Sequence, residues 1–450
     1  MRTFAKHTFI TGVTQVASFG LGLLTSLVIA RGLGPDGKGI YTLTMSVPAL
    51  LVTLCHLGIQ WATVYYVAQR MYPMPEILGS NVWLAIWLGI GSTGLGVILL
   101  FFFGELLVPG VPQGYLFIAL LAIPAELFFS YLQYMLLGAE HILAFNLINI
   151  LQKGVALFFL IILVWFVKAK VVGAIAAVLI SWIITNGALL LIVKRISGGI
   201  VFIVNWSYVK ASIIFGIKSH IGNIFWFLTH RLDVFLVNGY LGPAAVGYYS
   251  LSVALGESLW MISQAASTVL LPRIAGETDE NRRRSLTPVV ARTVILTTAL
   301  LAIAMAVFSP WLIRSLYSEA FLPSVWPLQG LLPGIVALSA GRVLANDITG
   351  RGYPLLNTYI VGGGLVVNIV LNVLLIPICG ILGAAIASSA SYILIFIIRL
   401  FFYCRLSGNR WTVVVLPQRG DWIMYRSILK VLGGIWKRTR AIRRGVQIIR

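Results

Sequence analysis

Twelve long apolar runs, separated by short breaks that carry charges, Gly or Pro, dominate this sequence. A helix needs about 20 mostly apolar residues to cross the hydrocarbon core of a bilayer. Such runs lie at 8–30, 41–67, 81–104, 115–137, 146–167, 171–193, 208–237, 244–271, 293–313, 324–349, 355–376 and 380–403. The pattern predicts an all-α polytopic membrane protein with about 12 transmembrane helices.

The composition supports this prediction, because 59% of the residues are hydrophobic and only 10% are charged. A soluble domain carries about 25% charged residues. The first run is too long for a signal peptide, and no small-residue cleavage site follows it, so we expect a retained first helix. Every predicted loop is short. The chain therefore has no room for a soluble catalytic domain, and we do not expect an enzyme.

Charged residues indicate how the helices are oriented. The chain has 33 Lys plus Arg against 13 Asp plus Glu, a net charge of +20. In a soluble protein this excess would suggest nucleic acid as a partner. Here 23 of the cations fall on the side of the N-terminus and 5 on the opposite side. The positive-inside rule then predicts that both termini are cytoplasmic, with membrane lipids and no nucleic acid as partners.

An internal repeat divides the chain into two halves. The pattern LGPxxxGxYxL at Leu33–Leu43 recurs 208 residues later at Leu241–Leu251, and Gly173–Ala177 is echoed 210 residues later by Gly383–Ala387. Six spans per repeat make the repeats parallel, and transporters built this way place the substrate between the halves. We therefore predict six-helix bundles at 1–200 and 201–405 around a central cavity, followed by a basic tail at 406–450.

The same motifs carry a family resemblance. They are Thr14-Gln15, Leu33-Gly34-Pro35 with Gly39 and Tyr41, and, in the second half, Arg231-Leu232-Asp233, Leu241-Gly242-Pro243 and Gly247-Tyr248-Tyr249. The chain resembles the oligosaccharide flippase (polysaccharide biosynthesis, Wzx-type) family of the multidrug/oligosaccharidyl-lipid/polysaccharide exporter superfamily over residues 5–405. The resemblance implies alternating access, a lipid-linked glycan as cargo and a place in the bacterial or archaeal cell (inner) membrane. It also implies other membrane proteins of polysaccharide assembly as candidate partners.

Cations inside the predicted spans are candidate substrate-binding residues, because an intramembrane charge is costly. Arg231, Arg342, Lys218 and Lys153 would make the cavity cationic for a pyrophosphate-linked lipid, since the arginine fork fits phosphate oxygens. Ion pairs between helices, such as Arg231–Glu257, and snorkelling near a helix end are the alternatives. Arg399 lies near a span end.

Acidic residues in the spans are candidates for ion coupling or for structural pairs. They are Asp233, Asp347, Glu257 and Glu126. The three cysteines have no CxxC spacing and the histidines have no metal-ligand spacing, so neither a disulfide nor a metal site is predicted. No P-loop is present, and no cofactor is expected.

In the tail, apolar residues recur at helical spacing from Trp422 to Trp436 and would form a stripe along one face of a helix, with Lys and Arg outside this stripe. This pattern predicts an amphipathic helix on the anionic leaflet, and the alternative is a disordered basic tail.

The sequence is compatible with three candidate functions. The first is a flippase for a lipid-linked oligosaccharide, and the second is an ion-coupled multidrug exporter of the same superfamily. A drug exporter should offer carboxylates to cationic drugs, whereas here the deeply placed cations at least equal the acids. The third, a membrane glycan polymerase or ligase, should have a large outer loop, and none is predicted.

Overall fold

A computed structural model describes residues 2–199, 203–260, 263–264, 279–418 and 421. Within these ranges, the side chains of 2–10, 218–219, 280–281 and 283 are not described. The predicted amphipathic tail helix and the second part of the eighth predicted span therefore lie outside the described residues.

The described chain is organised as a series of helices. They are α1 Arg2–Cys55, α2 Ile59–Ala68, α3 Met74–Leu107, α4 Gln113–Leu120, α5 Ala122–Gly138, α6 Ile142–Leu160, α7 Lys170–Ser197, α8 Trp206–Leu241, α9 Pro243–Glu257, α10 Glu280–Leu316, α11 Val325–Gly350, α12 Pro354–Ser407 and α13 Trp411–Val415. A π-helical segment, Ile161–Phe166, continues α6, and a 3₁₀ segment, Glu319–Ser324, precedes α11.

Among the described residues, eight helices are long and apolar enough to cross a membrane, or nine if the bent pair Trp206–Ile217 and His220–Leu241 is one span. This number is lower than the twelve predicted from the sequence. Two of the eight, Thr11–Cys55 and Pro354–Ser407, are 45 and 54 residues long, and each consists of two helices that meet at a kink. At 1.5 Å per residue each is far longer than the roughly 30 Å hydrocarbon core. Both contain one glycine with non-helical dihedrals, Gly34 and Gly380.

The repeated LGP motif forms the same backbone turn in both halves. Gly34 has φ 70° and ψ −177°, and Gly242 has φ 80° and ψ 178°. These angles favour glycine, because a Cβ atom is strained at positive φ. The following Pro35 and Pro243 fit the first turn of the next helical segment, where no backbone N–H is needed. The motif thus ends one membrane-crossing segment and begins the next.

The two copies of the motif pack against each other reciprocally. A Cβ atom added to Gly39 would lie 1.7 Å from the carbonyl oxygen of Pro243, and one added to Gly247 would lie 1.9 Å from that of Pro35. The hydroxyls of Thr42 and Ser250, 208 residues apart, are 3.5 Å from each other. Such mutual contacts between equivalent residues are what a two-fold relation produces. We call this contact the repeat junction.

Other contacts close the same end of the bundle. Arg31 donates to the carbonyl oxygens of Leu316 and Ser315 at 2.7 and 2.6 Å, and Asn238 donates to the carbonyl oxygen of Pro109 at 3.0 Å. The opposite end, where α1 begins, we call the N-terminal face. There Asn205, the N-cap of α8, donates to the Glu76 carboxylate at 2.7 Å.

The halves also share a buried core. The largest cluster of buried apolar side chains includes Leu43 and Leu132 from the first repeat and Tyr208 and Tyr249 from the second. Gly58 and Gly216 approach so closely that a Cβ atom on Gly58 would lie 2.5 Å from the Gly216 carbonyl oxygen. The repeats are therefore packed together through backbone contacts as well as through side chains.

Candidate functional site

A polar pocket of about 400 Å³ lies in the N-terminal half. Its lining residues are Thr11, Thr14, Gln15, Ser18, Phe19, Gln133, Phe145, Asn146, Asn149, Lys153 and Gln264. The ends of α1, α5 and α6 nearest to the N-terminal face supply most of them, and Gln264 belongs to the second repeat. Amide and hydroxyl groups dominate this lining, and they can both donate and accept hydrogen bonds. We call it the N pocket.

A larger pocket of about 840 Å³ lies in the C-terminal half. Its lining residues are Phe215, Gly222, Asn223, Trp226, Pro354, Leu355, Asn357, Thr358, Val361 and Arg399. They belong to α8 and α12. Apolar and aromatic side chains are more prominent here than in the N pocket. We call it the C pocket.

The two pockets occupy equivalent places in the repeat. Residues on the first helix of each half correspond at a separation of 208, as Gln15 does to Asn223. For α6 and α12 the separation is 212, because the turns before them match at Glu140 and Gly352, which both have positive φ. The lining pairs are Thr14 and Gly222, Gln15 and Asn223, Ser18 and Trp226, Phe145 and Asn357, Asn146 and Thr358, and Asn149 and Val361. The internal repeat thus extends from the sequence motif to the cavities.

Of the predicted substrate-binding cations, Lys153 lines the N pocket, where its Nζ is 3.4 Å from the carbonyl oxygen of Ser18. Arg342 lies half-buried on α11, two positions after buried Ala340. It makes no hydrogen bond or ion pair with any residue that the structure describes. The side chain of Lys218 lies outside the described residues, so its role stays a prediction.

Arg231 is paired with Glu257, as the alternative interpretation of the sequence anticipated. Two parallel hydrogen bonds of 3.0 Å join Nη1 to Oε1 and Nη2 to Oε2, so that α8 and α9 are linked. The Arg231 side chain remains 37% exposed. Its charge is already compensated, and any contact with cargo would use the edge of the guanidinium that Glu257 leaves open.

Asp233 and Asp347 are buried within hydrogen-bond networks. Asp233 accepts from the hydroxyls of Tyr249 at 2.5 Å and Ser388 at 3.1 Å. Asp347 accepts from Thr287 at 2.5 Å and forms an ion pair with Arg351, one turn further along. Each carboxylate therefore holds helices together. Whether either one also couples an ion to transport remains a proposal.

Glu126 is the last of the four acidic residues predicted for ion coupling or structural pairing. It is half-buried on α5, seven residues and two helical turns before Gln133, and so lies on the same side of the helix as that N-pocket residue. Within the described ranges no side chain pairs with it. No group of three or more His, Cys, Asp and Glu side chains in those ranges is placed to hold a metal ion.

Arg399 lines the C pocket, although it was not among the site residues predicted from the sequence. The sequence showed only that it lies near a span end, whereas in the structure the residue is 3% exposed. The signal that could have identified it is its apolar surroundings on both sides, Phe396 to Ile398 before it and Leu400 to Phe402 after it.

The fold is that of known multidrug transporters. A MATE family transporter of the MOP superfamily in an inward-facing conformation superposes with a TM-score of 0.72, 15% identity and coverage of 87% of this chain and 94% of that one. A MOP superfamily transporter from Pyrococcus furiosus, reported to have a binding pocket of reversed polarity, gives a TM-score of 0.63, with 14% identity and coverage of 91% and 95%. Identities this low establish the fold alone.

Sequence relatives point to membrane proteins and to glycan synthesis. An uncharacterized membrane protein of Methanocaldococcus jannaschii is 32% identical over 121 residues, which cover 26% of this chain and 24% of the relative. The probable low-salt glycan biosynthesis flippase Agl15 of Haloferax volcanii is 23% identical over 190 residues, 42% of this chain and 39% of the relative. The chain thus matches less than half the length of these relatives.

Family models cover most of the chain. The MatE model matches residues 219–374, within the second repeat. The model described as "Polysaccharide biosynthesis protein" matches residues 4–276, which is more than half of the chain. The protein therefore belongs to the polysaccharide biosynthesis protein family.

Proposed function

We propose that the protein is a flippase that moves a lipid-linked oligosaccharide, carried on polyprenyl pyrophosphate, across the cytoplasmic membrane by alternating access. In this proposal α1 and α12 each supply two of twelve spans, and α9 begins the eighth. The spans form bundles at 1–200 and 201–405, and the N-terminal face is cytoplasmic. Family membership and the likeness to Agl15 support a glycan as cargo.

The observation that carries the proposal is the chemistry of the N pocket. Its lining combines amides and hydroxyls with Phe19, Phe145 and one cation, Lys153, and none of its described lining residues is acidic. A sugar presents many hydroxyls that both donate and accept, which amide side chains can match. A cationic drug would instead require carboxylates in the wall of the pocket.

The closed end of the bundle supports access from the N-terminal face. The repeat junction and the Arg31 and Asn238 hydrogen bonds close the opposite end. Both pockets are lined by segments near the N-terminal face, at 11–19 and 145–153 in one half and 222–226 and 354–361 in the other. A substrate in the cytoplasmic leaflet would thus reach both pockets before the junction opens.

One observation favours the second candidate, an ion-coupled multidrug exporter. Glu126 lies on the side of α5 that bears the N-pocket residue Gln133 and has no described partner. A carboxylate so placed can bind a proton or a cation. A flippase could use Glu126 for ion coupling in the same way. We do not propose a polymerase or ligase, because the fold resembles that of solved transporters.

A deletion strain tests the proposal. We expect the lipid-linked glycan to accumulate in the cytoplasmic leaflet, and the wild-type gene to restore its export. Normal glycan export together with increased drug sensitivity would contradict the flippase and support the exporter.

Substitutions then test the pocket. Lys153→Met removes one charge-assisted hydrogen bond, worth about 1.5–3 kcal/mol, so export should require about tenfold more substrate or worse. Lys194→Met, at the exposed end of α7, is the matched control and should behave as wild type. Full export by both Arg231→Ala and Arg342→Ala at normal protein levels would contradict a cationic substrate cavity.

A further inference from the structure

Lys38 is a buried cation at the end of the bundle that the repeat junction closes. It directly precedes Gly39, and the residue is only 5% exposed. Its Nζ atom is 3.3 Å from the hydroxyl oxygen of Ser26, which is its one hydrogen bond to a residue that the structure describes. Among the described residues no carboxylate forms an ion pair with it, and Asp36, two residues earlier, is exposed. This burial is costly, because water would solvate all three N–H donors of the ammonium group.

The repeated fold does not require a charge at this place. In the LGPxxxGxYxL motif, Lys38 corresponds to Val246, 208 residues later. Val246 is fully buried and belongs to the apolar core that both halves share. An apolar side chain therefore satisfies the packing, and the lysine adds a cost that the second half avoids. A cation so placed in a membrane protein is a candidate for function by default.

The ammonium group of Lys38 lies where the two halves meet. Its partner Ser26 also interacts with the hydroxyl of Tyr317, which belongs to the second repeat and is 2% exposed. The neighbouring Gly39 is so close to the second repeat that an added Cβ atom would lie 1.7 Å from the carbonyl oxygen of Pro243. Separation of the halves at this end would break these contacts and let water reach the lysine. We therefore expect the cost of burial to apply only while the junction is closed.

A second cation at the same end, Arg31, is in the opposite situation. Its guanidinium donates to the carbonyl oxygens of Leu316 and Ser315 at 2.7 and 2.6 Å, at the C-terminal end of α10 in the second repeat. The last carbonyl groups of a helix and its dipole both favour a cation there. Arg31 thus stabilises the closed junction, whereas Lys38 has no such acceptors across it.

We propose that Lys38 is a conformational device that limits the stability of the closed repeat junction. The lysine is buried without a counter-charge when the junction is closed and becomes hydrated when the two LGP turns separate, so the gain in hydration favours opening. Arg31 and the glycine contacts hold the junction closed, and Lys38 keeps this conformation from becoming too stable to leave. That the opening releases a glycan rests on the proposed function, whereas the effect of the charge on the junction does not.

Cysteine labelling measures how often the junction opens. The full-length protein is purified in detergent without the cysteines at 55, 379 and 404, and Ser250→Cys replaces the hydroxyl that lies 3.5 Å from that of Thr42. A hydrophilic maleimide should reach the new thiol only when the halves separate, so the labelling rate reports the open fraction. Lys38→Met should lower this rate at least tenfold, because the cost of burying an unpaired ion is removed from the closed conformation alone. Lys168→Met, which removes an exposed lysine between the π-helical segment and α7, is the matched control and should label as the wild type does.

Two further variants separate the cost of burial from other effects of the charge. Ser26→Asp keeps the lysine but supplies a carboxylate beside its Nζ atom, so it should also lower the labelling rate. Arg31→Met likewise removes a cation, yet it should raise the rate, because hydrogen bonds across the junction are lost. The midpoint temperature of thermal unfolding of Lys38→Met should equal or exceed that of the wild type. A labelling rate in Lys38→Met that equals or exceeds the wild-type rate, or a lower midpoint temperature, would overturn the proposal.

These results are separable from the proposed function, because the labelling needs no cargo. Glycan accumulation in the deletion strain together with wild-type labelling of Lys38→Met would reject the device and keep the flippase. Slower labelling of Lys38→Met, with normal glycan distribution in the deletion strain, would keep the device and reject the flippase.

Discussion

Gly39→Ala should open the repeat junction. The added Cβ atom would lie 1.7 Å from the carbonyl oxygen of Pro243 and 3.0 Å from the amide nitrogen of Gly247. Contacts of a Cβ atom shorter than 3.0 Å are essentially never seen, so the segments after Gly34 and Gly242 must separate by at least 1.3 Å, the difference between 3.0 and 1.7 Å. The obstructing atoms belong to the backbone and cannot move aside as a side chain would.

The magnitude follows from the cost of overpacking, which is about 1–3 kcal/mol and sometimes more. If this cost applies only to the conformation in which the junction is closed, the equilibrium shifts away from that conformation by a factor of about 5–150. Gly247→Ala should have nearly the same effect, because its Cβ atom would lie 1.9 Å from the Pro35 carbonyl oxygen. Gly22→Ala is the control, since its Cβ atom would meet nothing within 4 Å.

Cysteine cross-linking measures the shift. Thr42→Cys and Ser250→Cys replace hydroxyls that are 3.5 Å apart, in a background without the native cysteines at 55, 379 and 404. The disulfide should form readily in this background, stop transport, and be reversed by a reductant. Adding Gly39→Ala should slow its formation at least fivefold. The same rate of cross-linking in Gly39→Ala and Gly22→Ala would refute the tight junction.

Two further predictions concern ion pairs. Arg231→Ala or Glu257→Ala alone should lower the free energy of unfolding by about 1–3 kcal/mol, because the remaining partner loses its hydrogen bonds. The double variant Arg231→Met with Glu257→Gln should recover most of this loss. A double variant that is stable but inactive would show that Arg231 also contacts cargo. Asp421→Asn should lower the free energy of unfolding by about 3–5 kcal/mol, because the Arg292 and Asp421 side chains are only 6% and 4% exposed. Since the hydrogen bond from Arg292 lowers the pKa of Asp421, this stabilisation should be present above pH about 4 and disappear as the pH falls through the lower folded-state pKa. When the pH is lowered from 6 to 3, the midpoint temperature of thermal unfolding should therefore fall less in Asp421→Asn than in the wild type. Equal decreases in the two proteins would contradict the role of this pair.

Local features of the fold could be predicted because they follow from the chemistry of single residues. Leu33-Gly34-Pro35 and Leu241-Gly242-Pro243 had to be turns, since glycine permits positive φ and proline cannot continue a helix. The absence of loops between some of the predicted spans was harder to predict. At Gly34 and Gly380 two helices meet directly at a kink, so no loop separates the apolar runs on either side.

The site could be predicted only in part, because a sequence shows that a charge is in a span but not which neighbour meets it. The pair Arg231–Glu257 was one alternative that the sequence offered, and the structure contains it, whereas Tyr249 and Ser388 were not predicted as the partners of Asp233. The place of Arg399 in the lining of the C pocket depends on the packing of α8 against α12, which brings residues far apart in the chain together. No spacing rule within α12 reveals it.

The repeat separates what the fold requires from what the function requires. Residues that the fold needs occur in both halves, as the glycines and prolines of the junction do. The two pocket cations do not. Lys153 corresponds to Leu365, at the separation of 212 that applies to α6 and α12, while Arg399 corresponds to Leu189. Each pocket thus carries a cation where the other half has leucine, and a leucine is sufficient for packing at both places. The repeated backbone explains why the N pocket and the C pocket occupy equivalent places, and the unmatched cations give the two pockets a different chemistry.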